Sequence, residues 1–165
     1  MKLMLRLQGG QRTPGQPVHL QSPNHFRLVV GMQSRRRDRI HPDKLRAYLA
    51  TDYRLGHAAS DITLRIGEKS ARLIQLFADR GVSCGAFITA FNPQGTRQSA
   101  TLNDAAHAEL ARLIAALGVD MIEGSGSEAE SDWPAELSWF ALGLELDAAR
   151  SIGSRFDQDA IVWVG

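Results

Sequence analysis

The stretch "CGAFITAF", residues 84–91, is apolar almost throughout and is bounded by turn residues. This pattern predicts a central β-strand that is covered on both faces. The strand is followed at once by Asn92, Pro93 and Gly95. Proline cannot donate to a sheet ladder and restrains the residue before it, so the strand ends here. The polar turn either only terminates the strand or forms part of a binding site, and the sequence alone allows both interpretations.

Periodic segments on both sides of this strand predict alternating helices and strands. Upstream we predict a short helix, a strand and a second helix that stops at Gly81 in HPDKLRAYLATDY (41–53), DITLRIG (61–67) and EKSARLIQLFADRG (68–81). Downstream, Asn103 and Asp104 are predicted to cap a helix that ends at Gly118. A strand, a strand, a helix and a strand are then predicted in VDMIEG (119–124), LSWFALGL (137–144), DAARSIGSRF (147–156) and AIVWVG (160–165).

This order predicts an α/β fold of the α+β sandwich type, with one mixed sheet packed on helices. The last six elements have the β-α-β-β-α-β order of a ferredoxin-like sandwich. We expect a single globular domain over residues 41–165, preceded by a basic, Gln/Gly/Pro/Arg-rich and flexible extension over residues 1–40. Within the extension only FRLVVGM (26–32) has the composition of a strand. Met32 is an alternative start, so residues 1–31 need not belong to the expressed protein.

Composition limits the functional classes. Cys84 is the only cysteine, which excludes a disulfide framework and fits a reducing, cytoplasmic environment. The apolar runs are too short for a membrane helix, so no membrane partner is expected. The histidines show no metal-binding spacing, and the sequence contains no GxGxxG or GxxxxGK[ST] phosphate-binding loop. We therefore predict neither a metal nor a cofactor.

Several polar residues near strand ends are candidates for binding a ligand. Thr89, Asn92 and Asn103 are expected near the carboxyl end of the sheet, where open α/β folds bind ligands. Trp133 and Glu136 lie beside an acidic loop and would make a lip on which a small molecule stacks, although such a tryptophan more often covers the core. Arg155 and Gln158 lie near apolar elements and either bind an anion or form structural pairs.

The N-terminal region carries a separate candidate. Residues 1–48 hold ten Lys or Arg and two Asp or Glu, whereas the remainder holds nine and sixteen, which gives +8 against −7. The cluster SRRRDR at 34–39 includes Arg35, Arg36, Arg37 and Arg39, which could neutralise phosphates of a nucleic acid. No aromatic-interleaved RNA-binding motif accompanies it, so a solvated tail is the favoured alternative.

The chain resembles the bacterial domain-of-unknown-function family 3293 over about residues 45–165. The resemblance rests on YLATDY (48–53), FITAFNP (87–93), Asn103, WPAE (133–136), the LG of 142–143 and RFDQDAIVW (155–163). The family more often has TAWNP and RFGQNA in the second and last of these motifs. Here Phe91 replaces the tryptophan, and Asp157 and Asp159 replace the glycine and the asparagine. The resemblance implies no particular activity.

Together these observations favour a small-molecule-binding accessory or regulatory module. Two alternatives remain open: a nucleic-acid-associated protein that acts through the basic N-terminal segment, and an enzyme in which Glu136 is the general base. Homodimerisation through a sheet edge is a further possibility.

Overall fold

The computed structural model describes residues 26–30, 40–56, 62–129 and 131–165. In this part of the chain, helices are interspersed among the strands. The helices are α1 (Pro42–Ala50), α2 (Ala71–Arg80), α3 (Ala100–Ala116) and α4 (Leu146–Arg155), with a 3-10 turn at Pro93–Gly95. The strands are β1 (Arg27–Val30), β2 (Asp52–Leu55), β3 (Ile62–Leu64), β4 (Gly85–Thr89), β5 (Met121–Ser127), β6 (Glu136–Leu142) and β7 (Ala160–Val164).

The seven strands form one sheet in the order β1-β7-β4-β6-β5-β2-β3. The predicted α/β class with one sheet packed on helices is confirmed, but the prediction of a mixed sheet is wrong, because every pair of neighbours in the described residues is antiparallel. The reason is the path of the helical connections. The chain passes through α3 from β4 to β5, and β6 then inserts between these two parallel strands.

Helices cover both faces of the sheet. Phe87 of β4 packs in a cluster with Leu73 and Phe77 of α2. Ile88, on the opposite face, packs with Leu110 of α3 and Ile152 of α4. Because successive residues of a strand point to opposite faces, the apolar stretch that contains β4 supplies both clusters. The predicted central strand with two covered faces is confirmed.

The predicted helix at residues 41–53 is too long. Helix α1 ends at Ala50, and Thr51 already has extended backbone angles. The chain continues as β2, whose Tyr53 and Leu55 are buried while Arg54 is exposed. β2 pairs with β5, which runs to Ser127 and so extends beyond the strand predicted at residues 119–124. This pairing needs a glycine at position 124, because a Cβ atom there would lie 2.3 Å from the backbone oxygen of Arg54.

Two predicted helix boundaries have different outcomes. Gly81 has a φ of 64° and ends α2 as predicted. Helix α3 begins earlier than predicted, at Ala100, because the Ser99 side chain accepts the hydrogen bond from the backbone nitrogen of Leu102 and thus forms the N-cap. Asn103 therefore lies within the helix and is buried, and its side chain is free for another role.

The N-terminal segment contributes a strand to the sheet. β1 pairs with β7, and Phe26 directly before it is only 1% exposed in the core. The predicted domain boundary at residue 40 is therefore wrong for residues 26–30, because these residues complete a sheet edge. Arg35, Arg36, Arg37, Arg39 and residues 1–25 lie outside the described residues. None of the helices in the described ranges is long and apolar enough to cross a membrane.

Candidate functional site

A cavity of about 400 Å³ opens at one end of the sheet. In an antiparallel sheet the end of one strand lies beside the beginning of its neighbour. At this edge the ends of β4 and β5 therefore lie beside the beginnings of β2, β6 and β7. The mixed sheet that was predicted would instead have brought the carboxyl ends of several strands together. The lining includes Lys44, Ala47, Tyr48 and Thr51 from α1 and its C-cap, Tyr53, Phe87, Thr89, Asn92, Gly126, Glu128, Trp133, Pro134, Glu136, Ser138, Gln158, Ala160 and Val162.

The walls of the cavity are largely apolar and aromatic. Tyr53 makes an edge contact with Phe87, with ring centroids 5.3 Å apart. The Tyr53 hydroxyl donates to the backbone oxygen of Tyr48 at 3.0 Å and so ties β2 to α1. Burial, followed by the charges of Asp159 and Glu136, raises the pKa of Tyr48 to about 12. Both tyrosine side chains therefore remain neutral at physiological pH. Besides burial, the negative charge of Glu136 contributes to the raised pKa of both.

Asn92 organises the turn that follows β4. It has a φ of 47°, in the left-handed region that asparagine tolerates better than most residues. Its backbone nitrogen donates to Asn103 Oδ1 at 3.0 Å, and its own Oδ1 accepts from Asn103 Nδ2 and from the backbone nitrogen of Gln98. Its remaining amide donor, Nδ2, is thereby directed at Glu136.

Glu136 is the carboxylate of the cavity. Its Oε1 accepts from Asn92 Nδ2 at 2.7 Å and from the indole Nε1 of Trp133 at 2.9 Å. Within the described residues, no protein group donates a hydrogen bond to Oε2. Burial raises the pKa of Glu136 above its ordinary value, and the two hydrogen bonds oppose this effect without overcoming it. The site thus contains a partly desolvated carboxyl group with one oxygen available to a ligand.

Hydrogen bonds made by Lys44 and Gln158 connect separate elements beside the cavity. Lys44 Nζ donates to Asp159 Oδ2 and to the backbone oxygen of Gln94, both at 2.7 Å. These bonds connect α1 to the turn after β4 and to the residue before β7. Gln158 is buried, and its Nε2 donates to the backbone oxygens of Phe91 and Phe156. The positive charge of Lys44 is therefore already compensated by an acidic partner.

The structure brings most of the predicted site residues together. Five of them line the cavity: Thr89, Asn92, Trp133, Glu136 and Gln158. Asn103 lies behind the wall and holds Asn92 in place. Arg155 is not part of the site, because its guanidinium is exposed and pairs with Glu109 of α3 at 2.9 Å. An arginine in the last turn of a surface helix is readily paired across to a neighbouring helix, which the sequence pattern of α4 does not reveal.

Sequence reasoning missed the contribution of α1 and β2. Tyr48 and Tyr53 both fall in the segment predicted as a helix, residues 41–53, yet both line the cavity. Lys44 and Ser138 also line the cavity, although neither was predicted as a residue of this site. The available signal was the motif YLATDY, which carries part of the family resemblance but has no chemical pattern of its own.

Across the ranges that the structure describes, no three His, Cys, Asp or Glu side chains approach one another as metal ligands would. Lining groups with lone pairs are hydroxyls, amides and single carboxylates, which suit hydrogen bonding to an organic molecule.

Comparison with known proteins finds one family that is similar to part of the chain. Residues 88–161 match the family described as "Protein of unknown function (DUF3293)". The chain is similar to this family over that segment. No curated protein and no solved structure matches the chain. The DUF3293 segment runs from β4 into β7 and includes all seven predicted ligand-site residues, whereas α1 and β2 precede it.

Proposed function

We propose that this protein binds a small organic molecule in the cavity at the end of its sheet. The observation that carries the proposal is the convergence of distant polar groups on one mainly apolar cavity. Glu136 Oε2 is available there, while the groups around it are fixed by hydrogen bonds. An apolar cavity with a few oriented polar groups is the usual form of a small-molecule site.

The distribution of the motifs supports this proposal. The segments that carry the family resemblance are far apart in the sequence, yet YLATDY, FITAFNP, WPAE and RFDQDAIVW each supply residues to the cavity lining. Motifs that serve only packing would be expected throughout the core. Their meeting at one opening favours a ligand site with an accessory or regulatory role.

The proposal is tested with N-phenyl-1-naphthylamine, a neutral apolar probe whose fluorescence rises in an apolar site. We expect saturable binding that is lost in Gly126→Leu, because a side chain at position 126 projects towards Thr51 and Tyr53 and fills the cavity. Ala160→Leu fills the cavity from β7 and guards against misfolding of the first variant. Ala115→Leu, at an exposed position of α3, is the matched control. Binding that survives both filling variants would refute the proposal.

We also propose that β4, α3, β5, β6, α4 and β7 form a ferredoxin-like unit, to which β1, β2 and β3 are additions. The neighbour order β7-β4-β6-β5 and the antiparallel pairing support this assignment. A crystal structure with a different order of these four strands would exclude it.

A further inference from the structure

The free oxygen of Glu136 defines what the ligand must supply. Oε1 already receives two N–H donors, whereas Oε2 has no hydrogen-bond partner in the described part of the chain. A carboxylate accepts hydrogen bonds and does not donate them. A ligand that reaches Oε2 therefore presents an N–H or O–H group, and a cationic N–H donor forms the stronger bond.

The other charges of the cavity favour a cation. Three charged side chains belong to the lining: Glu136, Glu128 and Lys44. Lys44 is engaged by Asp159 at 2.7 Å, so the carboxylates dominate the field inside. An anionic ligand would be repelled by Glu136 and would find no free cation in the described lining.

The aromatic side chains favour a planar ligand. Tyr48, Tyr53, Phe87 and Trp133 all contribute to the lining. Aromatic faces carry negative charge density and attract planar rings and cations. Trp133 is held by its indole bond to Glu136 and by the guanidinium of Arg97, 4.7 Å from the ring centroid, so its orientation is set before a ligand arrives.

We propose that the ligand is a planar, nitrogen-containing organic cation, of the amidine or aminated-heterocycle class, that donates an N–H bond to Oε2 of Glu136 while its ring packs against the aromatic walls. This inference rests on the proposed function, since it assumes that the cavity binds a small molecule. It adds the charge of the ligand, its shape and the atom that recognises it.

Three probes of one shape test the proposal: benzamidine, benzamide and benzoate, which are cationic, neutral and anionic. In calorimetric or ligand-observed NMR titrations we expect benzamidine to bind about 10- to 100-fold more tightly than benzamide, the range expected for one hydrogen bond to a charged group. Benzoate should bind most weakly. In Glu136→Gln the benzamidine advantage should vanish while benzamide affinity stays within about twofold. Glu109→Gln, which removes an exposed carboxylate outside the cavity, should retain the advantage.

The outcomes separate this inference from the proposed function. Equal affinity for benzamidine and benzamide, or no binding of either, would overturn the cation assignment. If N-phenyl-1-naphthylamine binding is still abolished by Gly126→Leu and Ala160→Leu in that case, the cavity remains a ligand site of another specificity. A benzamidine advantage that persists in Glu136→Gln would overturn the role of this carboxylate.

Discussion

At the scale of single residues, the burial of the Glu136 carboxyl group in the cavity costs free energy. Its carboxyl group is half-buried, and two hydrogen bonds to one oxygen do not compensate fully for lost hydration, which is why its pKa is raised. A purely structural position would favour an uncharged side chain that accepts the same two bonds. Retaining a carboxylate here is understandable if a bound cation supplies the missing interaction.

The raised pKa of Glu136 predicts how the stability of the folded protein depends on pH. Because the folded state raises the pKa of Glu136 above its ordinary value of 4.5, the folded state holds this proton more tightly than the unfolded state. Stability is therefore lost as pH rises from about 4.5 through the folded-state pKa. Glu136→Gln lacks this loss, so we expect its Tm to exceed that of the wild type at neutral pH and the difference to shrink on acidification.

The measurement is a set of thermal unfolding curves without ligand across this pH range. Glu109→Gln is the control, since Glu109 is exposed and its removal should not reproduce the trend. A Glu136→Gln variant that is less stable than the wild type at neutral pH, by a margin that grows with pH, would contradict the account.

At the scale of elements, a pair of asparagines joins α3 to the turn after β4. Asn103 and Asn92 exchange two hydrogen bonds in a buried setting, and Asn92 in turn directs its amide at Glu136. The helix therefore does more than cover the sheet. It fixes the geometry of the cavity from behind.

We expect Asn103→Ala to destabilise the protein by about 1–3 kcal/mol, because the backbone nitrogen and Oδ1 of Asn92 each lose a buried partner. Urea unfolding measures this change. Asp104→Ala, at the exposed neighbouring position of the same helix, should have a much smaller effect. Equal effects of the two substitutions would show that Asn103 contributes only through helix propensity.

The element scale also shows what the sequence can and cannot predict. The central strand, the left-handed stop at Gly81 and the polar turn at Asn92 follow from local patterns and were predictable. The strand β2 was missed because its short apolar alternation directly follows a helix, and its partner β5 is contributed by residues about seventy positions later. Asp157 has a φ of 50°, which explains why the resembled family more often has glycine there.

At the scale of the whole molecule, the antiparallel sheet determines where the cavity lies. A mixed sheet would have gathered the carboxyl ends of parallel strands, which was the basis of the predicted site. The antiparallel order instead combines ends and beginnings of strands, and it adds α1 and β2 to the wall. Thr89, Asn92, Trp133, Glu136 and Gln158 were predictable because they lie near the ends of apolar segments or beside a loop, whereas the tyrosines depend on long-range pairing.

The same sheet extends to the N-terminal strand β1. Phe26 is almost fully buried and makes an edge contact with Tyr53, with ring centroids 5.4 Å apart. We expect Phe26→Ala to cost about 3–5 kcal/mol in the free energy of unfolding, the range for removing a buried aromatic side chain. Chemical denaturation measures this, with Phe26→Leu as the milder control. Unchanged stability in Phe26→Ala would place this residue outside the folded core.

The most direct test of the account follows the indole signals of the three tryptophans during a benzamidine titration of ¹⁵N-labelled protein. Trp133 lines the cavity and donates to Glu136, whereas Trp139 and Trp163 pack on the opposite face of the sheet. We predict a saturable shift of the Trp133 Nε1–H signal while the signals of Trp139 and Trp163 remain in place. A Trp133 signal that does not move, or movement confined to Trp139 and Trp163, would contradict a cation site beside Glu136.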